Sequence, residues 1–94
     1  MFVIDASRTL SICFDDEHDE TVMRVVDRLA VEDAIAPALW AFEVANGLRS
    51  GLRRGRITPS DVPRLRRLIG RLPVDVERAD VTEATGAVLD LAIG

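Results

Sequence analysis

Two carboxylates stand out by where they fall. The apolar run Met1 to Ile4 ends abruptly in Asp5, and Glu43 is the only formally charged residue between Ala34 and Leu48. A short buried strand that ends in an acid delivers that acid at its carboxyl end, where active sites of α/β sheets gather. A carboxylate inside an apolar helix must find a hydrogen-bond partner, a cation or a metal, because burying it unpaired costs more than taking up a proton. Arg49, Ser50 and Asn46 are within reach as structural partners, so a satisfied polar residue at the core edge is the competing reading of Glu43. If the two acids converge, a hard divalent cation relieves their repulsion. Mg²⁺ takes one or two carboxylates and completes its octahedron with water and substrate phosphate, which makes phosphodiester hydrolysis the natural chemistry.

The elements that must position these residues are read from periodicity. Met1–Ile4 is a strand, and Ala6 and Ser7 begin a turn or helix. The acids from Asp15 to Glu20 precede a helix whose stripe is Val22, Val26, Leu29 and Ala30. Residues 34–36 form a short strand, Pro37 opens a helix running through Leu39, Phe42 and Asn46, and the Gly51 to Gly55 region ends it. Thr58, Pro59 and Ser60 start another helix with Val62, Leu65, Leu68 and Leu72 on its inner face. Val74 and Val76 alternate with Asp75 and Glu77 as a weak strand, and Asp80 and Glu83 precede a last helix with Ala84, Val88 and Leu91 inward. Strands alternating with helices predict an α/β layered fold with a parallel sheet, in a single domain spanning 1–94.

At Phe-Val-Ile-Asp5-Ala6-Ser7 and Pro37-Ala38-Leu39-Trp40-Ala41-Phe42-Glu43-Val44-Ala45-Asn46, the chain resembles VapC-type PIN-domain ribonuclease toxins of type II toxin–antitoxin systems. The resemblance implies a PIN-like three-layer fold, a short central parallel sheet flanked by helices. It also implies Mg²⁺-dependent endoribonuclease activity, with Mn²⁺ as an alternate ion, on single-stranded or structured RNA. Asp5 and Glu43 would be catalytic metal ligands, Ser7 a hydroxyl supporting the first acid, and Asn46 a polar neighbour. A VapB-type antitoxin and a homodimer are the implied partners. Arg8 departs from the family's apolar continuation. The family also continues with a Tyr-Asp-Ala-like segment and further acids, whereas this sequence has no Tyr and ends at Gly94. Asp90 does not match that motif and reads as a solvated helix residue. The resemblance therefore implies a domain without its C-terminal helix and strands, and an alternative function as a catalytically incomplete antitoxin-binding or dimerisation module.

Composition narrows the classes. A net charge of -4 argues against a generic nucleic-acid-binding domain. Local clustering still matters, because eight of the twelve arginines fall between Arg49 and Arg71 with only Asp61 to oppose them. Arg49, Arg53, Arg54 and Arg56 suit an RNA backbone or an acidic partner, and a plain solvated face is the other reading. The acidic run with His18 lacks the glycine and spacing of a calcium loop and reads as solvated charge. The lone Cys13, among Leu10, Ile12 and Phe14, reads as core filling. With no possible internal disulfide and no charged leader before a long apolar stretch, the expectation is a cytoplasmic protein without membrane insertion.

Overall fold

The computed structural model describes residues 1–78, so the expected last helix and Asp90 lie outside the described residues. Strand β1 (Phe2–Val3) leads into helix α1 (Ala6–Cys13), a 3-10 turn at Asp15–Glu17, helix α2 (Glu20–Leu29) and strand β2 (Ala34–Ala36). Helix α3 (Trp40–Arg53), a 3-10 turn at Pro59–Asp61, helix α4 (Val62–Arg71) and strand β3 (Val74–Val76) follow. The result is an α/β architecture of four helices and a three-stranded parallel sheet in the order β1-β2-β3. Phe2 pairs with Ala34, and Ala34 with Val74. No helix among the described residues is long and apolar enough to cross a membrane.

Local chemistry sets the boundaries. Asp5 caps α1 by accepting the Arg8 N–H at 2.8 Å, and Asp19 caps α2 by accepting the Val22 N–H at 2.9 Å. Only Asp19 and Glu20 of the acidic run therefore serve α2; Asp15 to Glu17 form a separate turn. Helix α3 begins three residues later than Pro37, whose carbonyl accepts the Trp40 N–H at 2.9 Å. Beyond the end of α3, Gly55 takes φ 71°, a left-handed conformation that glycine adopts without a Cβ clash. The turn before α4 is closed by Asp61, whose carboxylate accepts the Thr58 N–H at 2.8 Å, and Pro stands early in α4, where a missing N–H costs nothing.

Ile4, Ala34, Ala36, Val22, Trp40 and Val44 form the main core, and Cys13, Phe14, Ile57 and Leu65 form a second cluster. Burial pushes the Cys13 thiol up from its ordinary range, more than Arg64 offsets, which fits its expected role as core filling. Helices α1 and α3 pack closely because α3 presents glycine there. A Cβ added at Gly51 would lie 2.7 Å from Phe14 Cε1, and one at Gly47 would collide with Leu10.

Candidate functional site

Asp5 follows β1, and Glu43 lies in the first turn of α3, the helix that follows β2. Since β1 and β2 are parallel neighbours, both acids belong to the carboxyl end of the sheet. A buried hydrogen-bond chain ties these two elements together. The Trp40 indole Nε1–H donates to Thr9 Oγ1 at 2.9 Å, and the Thr9 hydroxyl donates to the Asp5 carbonyl oxygen at 2.9 Å. The same carbonyl accepts the Thr9 N–H at 3.1 Å. Thr9 is fully buried, and Glu43 lies three residues past Trp40, roughly 4.5 Å further along the helix axis. Sequence reasoning missed both Thr9 and Trp40. A Thr amid the apolar stretch leading to Cys13 was the available signal, since a buried hydroxyl requires a partner.

One expectation is corrected outright. Glu43 is exposed, as are Ala41, Phe42, Ala45 and Asn46. The inward stripe of α3 is Trp40, Val44 and Gly51, and Glu43 falls one position off it. The apolar neighbours that made it look buried are themselves on the surface; Phe42 is 73% exposed. Its carboxylate is therefore solvated, and its presence in α3 needs no buried cation to explain it.

Asp5 is exposed as well. One of its oxygens is engaged by the Arg8 N–H. Its cleft, about 350 Å³, is lined also by Phe2, Arg8, Val25 and Arg28, and Glu43 does not line it. Arg28 sits 4.4 Å over the Phe2 ring and pairs with Glu32 at 3.1 Å. Arg8 shares the cleft without an ion pair to Asp5 among the described residues. Glu77 stands just past β3 at the same sheet end, but two strand spacings, roughly 10 Å, separate β3 from β1. It was not singled out in the sequence as a site residue, and among the described residues it forms no metal-binding group with Asp5.

The donor chemistry suits a hard cation, since Asp5 and Glu43 both offer carboxylate oxygens. Among the described residues, no three His, Cys, Asp or Glu side chains come together to hold a metal, and Glu43 is absent from the cleft that Asp5 lines. The acidic run forms no such group either, and His18 Nε2 instead hydrogen-bonds the Ile12 carbonyl at 2.8 Å. Ser7 is exposed, and its carbonyl accepts the Ser11 hydroxyl at 3.1 Å. The hydroxyl that reaches Asp5 belongs to Thr9 and contacts its backbone.

The arginines divide. Arg49 and Arg53 are exposed on α3, and Arg54 caps its end. Arg56 is bound across the chain: its Nη2 lies 2.9 Å from Asp16 Oδ1 and 2.6 Å from Glu17 Oε2, while its guanidinium stacks 4.0 Å over Phe14. The Arg56 hydrogen bond holds the Asp16 carboxyl below its ordinary range, and Asp16 and Glu17 together raise Arg56. No protein-family model, curated protein or solved structure matches the chain.

Proposed function

We propose that this chain is a toxin-type endoribonuclease, using Asp5 and Glu43 as ligands of Mg²⁺ or Mn²⁺. The observation that carries the reading is the Trp40–Thr9–Asp5 chain, which locks the start of α3 to the end of β1 and so fixes the backbone beneath both acids. When bound, the ion would supply charge neutralisation at the scissile phosphate and an acidified water. The protein's own contribution is to hold the donors. The Arg8 N–H orients Asp5 through one oxygen and leaves the other for the ion. Glu43 is exposed, so the metal-free chain carries no buried unpaired carboxylate there. Exposed Arg49 and Arg53 would attract the RNA backbone. A PIN-like layering, a VapB-type antitoxin and a homodimer belong to the same proposal, on the strength of the resemblance.

Cleavage of a single-stranded RNA in Mg²⁺ or Mn²⁺ tests it. Asp5→Asn and Glu43→Gln should each lower the rate by on the order of 10²-fold. Cleavage indifferent to both changes would end the enzymatic reading.

A second reading, a non-catalytic module that only associates, is favoured by a different observation. Leu39 and Phe42 near the start of α3 are 63% and 73% exposed, an apolar surface beside an incomplete donor set. Light scattering of the purified chain distinguishes it: association that persists in Asp5→Asn but is lost in Phe42→Ser, with no RNA cleavage by the unmodified chain, would favour the module.

A further inference from the structure

Between α1 and α3 lies a cavity of about 250 Å³ that the candidate metal site does not use. Its floor is apolar, made by Leu10 and Phe14 where the α3 glycines let them approach. Its polar groups are Ser7, Ser50, Arg54, Arg56 and Glu17. Two guanidinium groups and two hydroxyls thus face one carboxylate. That carboxylate is already occupied: Glu17 receives Arg56 Nη2 through one oxygen and the Ser11 hydroxyl, at 3.2 Å, through the other. Arg54 has no ion-pair partner among the described residues, and every side-chain hydrogen bond Arg56 makes there runs through Nη2, leaving its Nη1 and Nε uncommitted. Asp16 also holds Arg56 through Nη2, so the two carboxylates share one nitrogen of one guanidinium and Arg54 is the cation left without an ion-pair partner among the described residues. Hydroxyl and uncommitted guanidinium donors around a small concavity are the chemistry that recognises a phosphate group.

We propose that this cavity is a phosphate-binding pocket, in which Arg54, Arg56 and Ser50 hold the anion and Glu17 competes with it for Arg56. The Arg56–Glu17 pair is suited to such exchange, because it is solvent-accessible and such pairs are weak enough to be displaced. Ser7, two residues past Asp5, lines the pocket and places it next to the candidate metal site. That a phosphate held here belongs to an RNA substrate rests on the nuclease reading; the pocket itself does not.

The test is an amide-resolved NMR titration of the full chain in EDTA, where no cleavage occurs, at constant ionic strength. The probes are inorganic phosphate and a dinucleotide with a terminal phosphate. Both should saturate, shifting the amides of Ser7, Ser50 and Arg54. Arg54→Ala should weaken binding about tenfold, with partial recovery in Arg54→Lys, and Glu17→Gln should tighten it about threefold. A dinucleotide that binds more tightly than free phosphate identifies the RNA backbone as the source, and equal affinities identify the phosphate group alone; both outcomes support the pocket. Shifts reproduced by chloride, or spread over Arg49, Arg53, Arg66 and Arg67 with affinity unchanged in Arg54→Ala and Glu17→Gln, would overturn it. Phosphate binding in EDTA by a chain that cleaves no RNA in Mg²⁺ or Mn²⁺ would sink the nuclease reading and leave the pocket standing.

Discussion

Replacing Thr9 by Val changes almost nothing in volume and removes one hydroxyl from the centre of the chain that joins α1 to α3. The hydroxyl both accepts from Trp40 Nε1–H and donates to the Asp5 carbonyl, each at 2.9 Å. Thr9 has no exposed surface and Trp40 is buried, so the orphaned indole N–H would find no replacement water. The Asp5 carbonyl keeps its bond from the Thr9 N–H and loses less. The cost is therefore dominated by one unsatisfied buried donor, about 1–3 kcal/mol, with no cavity contribution. For a domain of this size that lowers the melting temperature by roughly 4–8 °C per kcal/mol. Urea unfolding followed by circular dichroism measures it, and Trp40→Phe closes a double-mutant cycle. Once the indole N–H is gone, Thr9→Val should cost about 1 kcal/mol less than it does alone. A Thr9→Val protein within about 0.5 kcal/mol of the parent, or effects that simply add, would refute the claim that this chain couples the two elements.

Three further outcomes follow from the packing and the charges. Gly51→Ala should destabilise by about 1–3 kcal/mol in thermal unfolding, because the new Cβ meets the Phe14 ring and Arg56, stacked on its face, limits how far the ring can yield. Asp16 and Asp61 have folded pKa values held below the ordinary carboxylate value, Asp16 chiefly by the Arg56 hydrogen bond and Asp61 chiefly by the Thr58 N–H. The unfolded chain therefore binds these protons more readily, so their contribution is present above about pH 4 and fades as pH falls through the folded values. In acid unfolding, Arg56→Ala should flatten the Asp16 part of that loss. Cys13 has the opposite sign: its folded pKa is raised, so stability declines as pH rises past 9.0, and the buried thiol should resist alkylation until the chain unfolds.

The short β2 strand and the start of α1 were legible from local signals, three apolar residues before a proline and an apolar run ending at Asp5; that Asp5 caps the helix was not read from the sequence. The amphipathic stripes of α2 and α4 were legible in part: Val22 and Leu29 are buried and Val26 half-buried, while Ala30, past the end of α2, is exposed; in α4 Leu65 is buried, Val62 and Leu68 are half-buried, and Leu72 follows the helix. The exposure of Glu43 was not, because an apolar neighbourhood in sequence says nothing of which side of a helix faces the core; the spacing of Trp40, Val44 and Gly51 did contain that information. Arg56 and Asp16 are 40 residues apart, and no local rule pairs them. The same holds for Thr9 and Trp40, 31 residues apart, whose bond depends on how α1 and α3 pack.

The central claim is that Asp5 and Glu43 serve one divalent ion, and substoichiometric Mn²⁺ tests it most directly through paramagnetic broadening of backbone amides. The account predicts that the amides around Asp5 and those around Glu43 broaden together at the same Mn²⁺ concentration, and that Asp5→Asn or Glu43→Gln abolishes both sets. Broadening of only one set, or broadening confined to the acidic turn at Asp15–Glu17, would contradict it.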